Sequence, residues 1–338
     1  MNILENYSLS QLNTFGLNVK AGAFCEVATE DEIIDLAGAQ EWKGKPKFIL
    51  GGGSNILFTH DLDALCIHNR IQGINIIRED DEHVWVWSGG GEVWHQLVMY
   101  CVERNFGGVE NLSLIPGSAG AAPIQNIGAY GVELKETFSE LEAIHLESGE
   151  KKIFSAADCR FGYRDSVFKR ELKNKYAITS ITLRLNKNPG FNTSYGAIEQ
   201  ELKAMNVQTP SVASISRAVI NIRRSKLPDP ALIGNCGSFF KNPEVPEDKY
   251  AELKNNYPDL VGYKTTPGKI KLAAGWLIEQ CGWKGMKSGN VGMHTQQALV
   301  LVNYGGATGK ELFDHAQKVQ RSVLEKFDVL LEMEVNIL

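Results

Sequence analysis

Residues 115–131 read IPGSAGAAPIQNIGAYG, a stretch built almost entirely of residues with small side chains. Such a segment presents its backbone, because glycine adopts angles closed to other residues and small side chains let main-chain N–H groups approach an anion. The isoleucines within it suit an apolar ring, and the bare backbone suits a phosphate tail. The stretch therefore predicts a site for a large phosphate-bearing cofactor, although composition alone also allows a Gly/Ala surface loop.

A second glycine turn, GGGSN at residues 51–55, follows the apolar run 48–50 and so stands at the end of a predicted strand. Neither stretch matches the Walker A pattern or the G-x-G-x-x-G of dinucleotide-binding helices. The predicted phosphate cradle is therefore of another type. A third cluster, at residues 89–91, separates a predicted strand from a predicted helix and is interpreted as a strand-to-helix turn.

Composition limits the class of protein. The 338 residues suffice for two or three domains, and the net charge of -5 argues against nucleic acid or an anionic membrane as the main partner. The N-terminus has no secretory signal pattern, and no apolar run is long enough to span a membrane. Six scattered cysteines and seven histidines without ligand spacing predict reduced thiols, a cytoplasmic location and no metal site.

Local patterns predict a mixture of helices and strands. Capping boxes at residues 29–32 and 308–311 each precede a helix. Runs at 141–146, 177–185 and 298–303 are typical of strands, and residues 214–224 and 272–281 of helices. From residue 327 onward apolar and polar residues alternate, which predicts a C-terminal strand with one face in a core.

Ser238, Arg164 and Glu334 are candidates for chemistry, yet each has an ordinary structural interpretation as a turn serine, a surface arginine and a solvent-facing carboxylate. Sequence spacing does not show that these residues meet. The chain also has no G-x-S-x-G elbow that would expose a nucleophilic serine.

Six segments resemble, in order, the signatures of the UDP-N-acetylenolpyruvoylglucosamine reductase (MurB) family: residues 51–55, 115–131, 163–166, 225–230, 234–243 and 331–335. The resemblance covers nearly the whole chain. One departure is Met333, where the family often has proline, and it leaves Glu334 in place.

The resemblance implies an α+β protein with an FAD-binding fold of the vanillyl-alcohol-oxidase (PCMH) type in two lobes, residues 1–68 and 69–224. A smaller α+β substrate-binding domain would follow at 225–326, then a C-terminal strand, 327–338, carrying Glu334. The implied activity is reduction of the enolpyruvyl ether of a UDP-sugar by NADPH through FAD, giving UDP-N-acetylmuramate for peptidoglycan. FAD is expected to be non-covalent, because the two glycine stretches contain no histidine. We expect a monomer whose partner is the small-molecule UDP-sugar.

Residue roles follow from the same resemblance. Arg164 would hold the charge that develops on the substrate, Glu334 would assist in its protonated form, and Ser238 would protonate the enolate carbon with help from a neighbouring cation. The implied FAD-binding residues are Gly51, Gly52, Gly53, Ser54, Asn55, Ile115, Pro116, Gly117, Ser118, Ala121, Ala122, Ile124, Ile127, Gly128 and Arg223. The implied substrate-binding residues are Tyr195, Lys226, Asn242, Tyr263, Lys284 and Gln297.

Two alternatives stay open from the sequence. One is another FAD-dependent oxidoreductase of the same fold that acts on a hydroxy acid or alcohol with oxygen as acceptor. The other is a non-catalytic flavin- or nucleotide-binding module, against which the joint presence of Arg164, Ser238 and Glu334 argues.

Overall fold

The computed structural model describes residues 1–193 and 196–338. The strands are, in chain order, β1 Leu4–Ser8, β2 Lys20–Val27, β3 Lys47–Leu50, β4 Ile56–Leu57, β5 Leu62–Asn69, β6 Ile74–Glu79, β7 His83–Gly89, β8 Gly128–Ala129, β9 Val132–Glu133, β10 Phe138–His145, β11 Lys151–Ser155, β12 Tyr176–Asn186, β13 Gly234–Ser238, β14 Glu244–Pro246, β15 Gly262–Lys264, β16 Lys269–Leu272, β17 Lys287–Ser288, β18 Val291–Met293, β19 Val300–Asn303 and β20 Asn336–Ile337.

The α-helices are α1 Glu30–Gly38, α2 Trp94–Glu103, α3 Ala156–Cys159, α4 Gly196–Ala204, α5 Val212–Lys226, α6 Glu247–Asn256, α7 Ala274–Gln280 and α8 Gly309–Phe327. Short 3₁₀ helices cover Gln40–Trp42, Glu110–Leu112, Ala119–Gln125, Leu134–Glu136 and Val167–Lys169. These elements form two compact units. The first comprises Met1–Tyr7, Lys20–Gly53 and Leu62–Ser225, and the second comprises Ser8–Val19, Ser54–Asp61 and Lys226–Leu338.

The first unit contains two sheets. One has the order β1-β2-β5-β3, with β5 parallel to both β2 and β3. The other is antiparallel, with the order β11-β10-β12-β7-β6. Its central strand β12 is buried at nearly every position, because α2 and the 3₁₀ helix Ala119–Gln125 contribute to the same core. The small-residue stretch is therefore part of this core.

The second unit is built on the antiparallel sheet β13-β19-β18-β17, a small sheet β14-β16-β15 and the helix α8. The capping box that begins α8 at Thr308 is present, as is the one that begins α1 at Thr29. The apolar stripe of α8 is buried as predicted, since Leu312, Val319 and Val323 have no exposed surface. Mixed sheets and helices in both units confirm the predicted α+β class.

Two predicted elements need correction. The helix expected from residue 272 begins at Ala274, because Leu272 ends β16. The C-terminal strand is also shorter than predicted. Helix α8 extends to Phe327, Asp328 ends it with a φ of 53°, and continuous pairing is limited to Asn336–Ile337 beside β4. The alternation of apolar and polar residues in 328–335 reflects burial, since Val329, Leu331 and Val335 are buried. Burial alone does not produce hydrogen-bonded pairing with a neighbouring strand.

The predicted division at residues 68, 224 and 326 stays a prediction. The two units depart from it in that Ser8–Val19 and Ser54–Asp61 belong to the second unit. No helix within residues 1–193 and 196–338 has the length and apolarity needed to cross a membrane. None of the six cysteines forms a disulfide, and Cys281 is the partly exposed one among them.

Candidate functional site

The two predicted phosphate-binding stretches pack directly against each other. A Cβ built on Gly52 would lie 2.8 Å from Cα of Gly117, and one built on Gly51 would overlap the hydroxyl of Ser118. Gly117 has a φ of 117°, an angle that glycine adopts readily and other residues do not. We call this surface, formed by residues 51–53 and 115–131, the glycine cradle.

The cradle is a packed structure, so the interpretation of residues 115–131 as a solvated surface loop is wrong. Ser118, Ala122 and Ile127 are buried, and Ile115 and Ile124 are partly buried against the core of the first unit. Residues 119–125 form a 3₁₀ helix that ends at Asn126 in a left-handed conformation. Pro116 is the exposed member of the predicted cofactor-binding set in this stretch.

The third glycine cluster, residues 89–91, packs against the cradle at Gly120. Strand β7 ends at Gly89 and α2 begins at Trp94, which confirms the strand-to-helix turn. A Cβ on Gly120 would lie 2.9 Å from the carbonyl oxygen of Gly90, and one on Gly90 would overlap the carbonyl oxygen of Ile178. The backbones of Gly90 and Gly120 touch, and this contact leaves no room for a side chain on either residue.

The cradle fits a cofactor with a diphosphate and a flat apolar ring. Gly51, Gly52 and Gly117 carry no side chains, and such backbone suits the close approach of phosphate oxygens. Partly buried Ile115 and Ile124 offer apolar surface nearby. Of the predicted set, Gly53 belongs to the first unit, whereas Ser54 and Asn55 belong to the second, where the carbonyl of Asn55 accepts hydrogen bonds from Asn336.

Arg164 lies in a tight turn closed by two backbone hydrogen bonds between Gly162 and Asp165, at 3.0 and 3.3 Å. Its φ of 52° is left-handed, a conformation that costs an L-residue about 1–2 kcal/mol. Backbone strain of this kind persists where the surroundings enforce it, and it is concentrated at functional sites.

The Arg164 turn is fastened to the cradle by three side chains. The guanidinium of Arg164 donates to the carbonyl of Gly128, and the hydroxyl of Ser166 donates to the carbonyl of Ile124 at 2.7 Å. The amide of Asn126 donates to the carbonyl of Gly162 at 3.0 Å. A Cβ on Gly128 would lie 2.8 Å from Nη1 of Arg164, so the guanidinium would have to shift to admit a side chain there. The structure thus places a permanent cation beside the cradle.

Asn126 and Ser166 were not predicted as site residues. Asn126 is completely buried, and its Oδ1 also accepts from the backbone N–H of Lys135 at 3.0 Å. A signal did exist, because asparagine tolerates the left-handed conformation better than most residues. Which carbonyl it would bind was decided by folding.

Arg223, predicted to contact the flavin diphosphate, bonds to protein groups in this structure. Its Nε donates to the carbonyl of Leu114 at 3.2 Å, and its guanidinium also interacts with Tyr130. Burial lowers the pKa of the Arg223 guanidinium, and the interaction with Tyr130 opposes that shift. The predicted contact of Arg223 with the diphosphate stays a prediction.

The second unit places Ser238 and Glu334 on adjoining segments. Ser238 ends β13 opposite Val300, after a bulge that contains Gly237 at a φ of 74°. The backbone N–H of Glu334 donates to the carbonyl of Phe239 at 2.8 Å. Burial raises the pKa of the neighbouring Cys236 thiol well above its ordinary value, and the charge of Glu334 adds to that shift. The serine and the carboxylate therefore belong to one local structure.

Several predicted substrate-binding residues have structural contacts of their own. Oδ1 of Asn242 accepts from the N–H of Ala274 at 3.0 Å and so caps the start of α7. Lys284 pairs with Glu279 at 2.9 Å, and Oε1 of Gln297 accepts from the backbone N–H two residues later at 3.5 Å.

Two other predicted substrate-binding residues have exposed side chains. Tyr263 lies on β15 with 59% of its surface exposed, and Lys226 is the exposed last residue of α5. Tyr195 lies outside the described residues. Arg164 belongs to the first unit and Ser238 and Glu334 to the second.

Two family models match separate parts of the chain. Residues 21–152 match the family model described as an FAD binding domain. Residues 229–338 match the C-terminal domain of UDP-N-acetylenolpyruvoylglucosamine reductase.

Curated relatives match along the full chain. Proteins named UDP-N-acetylenolpyruvoylglucosamine reductase from Amoebophilus asiaticus and Flavobacterium johnsoniae are 50% and 48% identical to this chain, and each alignment covers 100% of both sequences. The crystal structure of the enzyme of that name from Thermus caldophilus superposes on this chain with a TM-score of 0.68 at 21% identity. The superposition covers 99% of this chain and 98% of that one, and it supports the fold. The chain belongs to the UDP-N-acetylenolpyruvoylglucosamine reductase family, and its first part is an FAD-binding domain.

Proposed function

We propose that this protein reduces UDP-N-acetylenolpyruvoylglucosamine to UDP-N-acetylmuramate with NADPH as reductant and FAD as bound cofactor, in the synthesis of peptidoglycan precursors. The observation that carries the proposal is the full-length identity of 48–50% to reductases of this name. The glycine cradle and the Arg164 turn supply the local chemistry that such a reaction needs.

FAD would be held without a covalent bond by the glycine cradle. When bound, it would supply the redox chemistry, which is transfer of a hydride from NADPH to the carbon–carbon double bond of the enolpyruvyl group. The cradle residues Gly51, Gly52 and Gly117 contribute backbone N–H groups and the absence of side chains. Ile115 and Ile124 exclude water from the adjoining apolar surface.

Arg164 acts on the carboxylate of the enolpyruvyl group. Adding a hydride to the terminal carbon forms a C–H bond there and moves the electron pair of the double bond onto the next carbon and this carboxylate. A planar guanidinium stabilises that negative charge with directed hydrogen bonds. The left-handed backbone and the bond to Gly128 hold the guanidinium in one place before the substrate arrives. Such preorganisation reduces the reorganisation that charge development would otherwise require.

Ser238 donates a proton to the carbon next to the carboxylate and regains one from solvent. Glu334 assists in its protonated form, because a carboxylate beside the anionic substrate would repel it. Loss of the proton donor or of the charge-stabilising group is expected to slow the reaction by about 10² to 10⁴. The proposal requires Ser238, Glu334 and Arg164 to reach the same enolpyruvyl group.

The substrate-binding roles belong to the same proposal. They fall to Tyr195, Lys226, Asn242, Tyr263, Lys284 and Gln297, which would contact the UDP diphosphate and sugar. Lys226 or Arg164 would support the Ser238 alkoxide. A cytoplasmic location and a monomeric state complete the proposal.

The test follows the absorbance of the FAD-reconstituted protein under anaerobic conditions. We expect NADPH to bleach the flavin and the enolpyruvyl sugar to restore its colour. Failure of the sugar to restore the colour, together with oxygen consumption on a hydroxy acid or alcohol, would favour the other oxidoreductase class. A protein that is colourless after incubation with FAD and removal of unbound FAD would refute the proposal.

Two variants separate the half-reactions. Ser238→Ala and Glu334→Gln should leave bleaching by NADPH at the wild-type rate and slow the return of colour, because both residues act after the flavin is reduced. Equal slowing of both steps would refute the assigned roles. Ser225→Ala is the matched control, since the hydroxyl of Ser225 donates to the carbonyl of Ile222 within α5 and has no proposed catalytic role.

A further inference from the structure

Leu114, the residue immediately before the cradle stretch, has a strained backbone. Its φ is 59°, in the left-handed region that large L-residues avoid. The side chain is partly buried, and the next residues, Ile115 to Gly117, form the edge of the cradle. The conformation of this one residue sets the direction in which the cradle backbone leaves the 3₁₀ helix Glu110–Leu112.

Side chains from two helices hold the Leu114 peptide groups. Nδ1 of His95, in the first turn of α2, accepts from the N–H of Leu114 at 3.0 Å. Nε of Arg223, on α5, donates to the carbonyl of Leu114 at 3.2 Å. One residue is thus bound at both its N–H and its C=O by side chains, a pattern that ordinary loop packing does not require.

Neighbouring contacts extend the same arrangement. The indole of Trp94 donates to the carbonyl of Leu112 at 2.9 Å, and its backbone N–H donates to the carbonyl of Gly117 at 3.0 Å. Buried Ser113 and Ser216 share a hydrogen bond of 2.8 Å between their hydroxyls. The first turn of α2 and two residues of α5 therefore hold the backbone on both sides of Leu114.

We propose that His95 and Arg223 are positioning residues, which hold Leu114 in its left-handed conformation and thereby shape the cradle for FAD. Neither residue needs to touch the cofactor. The inference rests on the proposed use of the cradle as the flavin site. It also gives Arg223 a role that differs from the diphosphate contact predicted from the family resemblance.

The arrangement defines the chemical form of His95. Because Nδ1 accepts a hydrogen bond, the imidazole must be neutral with its proton on Nε2. Asparagine carries an acceptor oxygen at the δ position of the side chain and can replace Nδ1, whereas the acceptor of glutamine lies one bond further out. We call the two side-chain contacts of His95 and Arg223 with the Leu114 backbone the clamp. The clamp predicts that His95→Asn is tolerated and that His95→Gln is not.

The experiment measures the dissociation constant of FAD on apo-protein by quenching of flavin fluorescence. We expect His95→Ala and His95→Gln to weaken binding by about 5- to 30-fold, the equivalent of about 1–2 kcal/mol of released strain. His95→Asn should remain within about threefold of wild type, because it keeps the acceptor.

A double-mutant cycle tests the cause. Leu114→Gly removes the strain that the clamp opposes, so His95→Ala should change the dissociation constant by less than about twofold in the Leu114→Gly background. Since both arms lack the leucine side chain, its packing cancels from the comparison.

The outcomes separate the two levels of inference. Wild-type apo-protein that takes up no FAD would refute the proposed function and the positioning role with it. FAD uptake by wild type with an unchanged dissociation constant in His95→Ala would refute the clamp alone. The clamp would also be overturned if His95→Ala weakened FAD binding equally in the Leu114→Gly background. The same holds if His95→Asn and His95→Gln weakened FAD binding equally, because His95 would then act by another route.

Discussion

Substitution of Gly52 by alanine is the sharpest test of the glycine cradle. The added Cβ would lie 2.8 Å from Cα, 3.2 Å from C and 3.5 Å from N of Gly117. Carbon atoms pack best at about 3.5–4.0 Å, so the two backbones must separate by about 0.7 Å or more. The obstruction is backbone on both sides, and no rotation of a side chain can relieve it.

Overpacking of this kind costs about 1–3 kcal/mol. Because the cofactor is expected to bind along the same backbone, we expect the affinity for FAD to fall by about 5- to 150-fold, the equivalent of that cost. Fluorescence titration of apo-protein measures the affinity, and urea unfolding measures the accompanying loss of stability. Gly38→Ala is the matched control, since Gly38 ends α1 and has no heavy atom within 4 Å of the added Cβ. It should leave FAD affinity unchanged.

Gly51 provides an internal comparison, because its added Cβ would overlap a side-chain hydroxyl, that of Ser118. Ser118→Ala should therefore restore much of the affinity lost in Gly51→Ala, whereas it should do nothing for Gly52→Ala. FAD affinity of Gly52→Ala equal to that of wild type would refute the cradle. So would rescue of both glycine variants by Ser118→Ala.

Three further predictions concern stability and reactivity. Thr308→Ala removes the cap in which the threonine hydroxyl accepts from the N–H of Glu311 at 3.2 Å, so urea unfolding should show a loss of about 0.5–2 kcal/mol; an unchanged unfolding midpoint would contradict it. A thiol reagent should modify partly exposed Cys281 first in the native protein, and Cys281→Ser should remove that fast phase; a fast phase that survives would show that a buried thiol reacts. Burial, together with the charges of Arg224 and Arg223 on α5, lowers the pKa of His95 from 6.5. The unfolded chain therefore binds the proton more readily than the folded protein does. We expect wild type to lose stability relative to His95→Asn as pH falls below about 6.5. Parallel stability curves for these two proteins across that range would count against the neutral form of His95.

Short-range patterns in the sequence were sufficient for much of the secondary structure. The capping boxes at Thr29 and Thr308 begin helices as predicted, because the hydroxyl and the backbone donors it satisfies are three residues apart. The strand ending at Leu50 and the turn at residues 89–91 follow from neighbouring residues in the same way. Alternation after residue 327 predicted burial correctly but predicted too long a strand, since a strand also needs a partner along its whole length.

The candidate site could be predicted in composition but not in arrangement. The small residues at 51–53 and 115–131 indicated a phosphate cradle, and the ordered family signatures indicated the reductase family that the relatives confirm. His95 and Asn126 carried no comparable signal, because their roles depend on which backbone groups they meet after folding.

The sequence by itself determined where side chains are missing, where the two helices with capping boxes begin and which family the chain belongs to. Only the tertiary structure decided that Gly52 packs on Gly117 and that Arg164 bonds to Gly128 from a left-handed turn. The physical reason is distance along the chain. Propensities and caps act over a few residues, whereas contact between remote backbones is selected by the packing of the whole core.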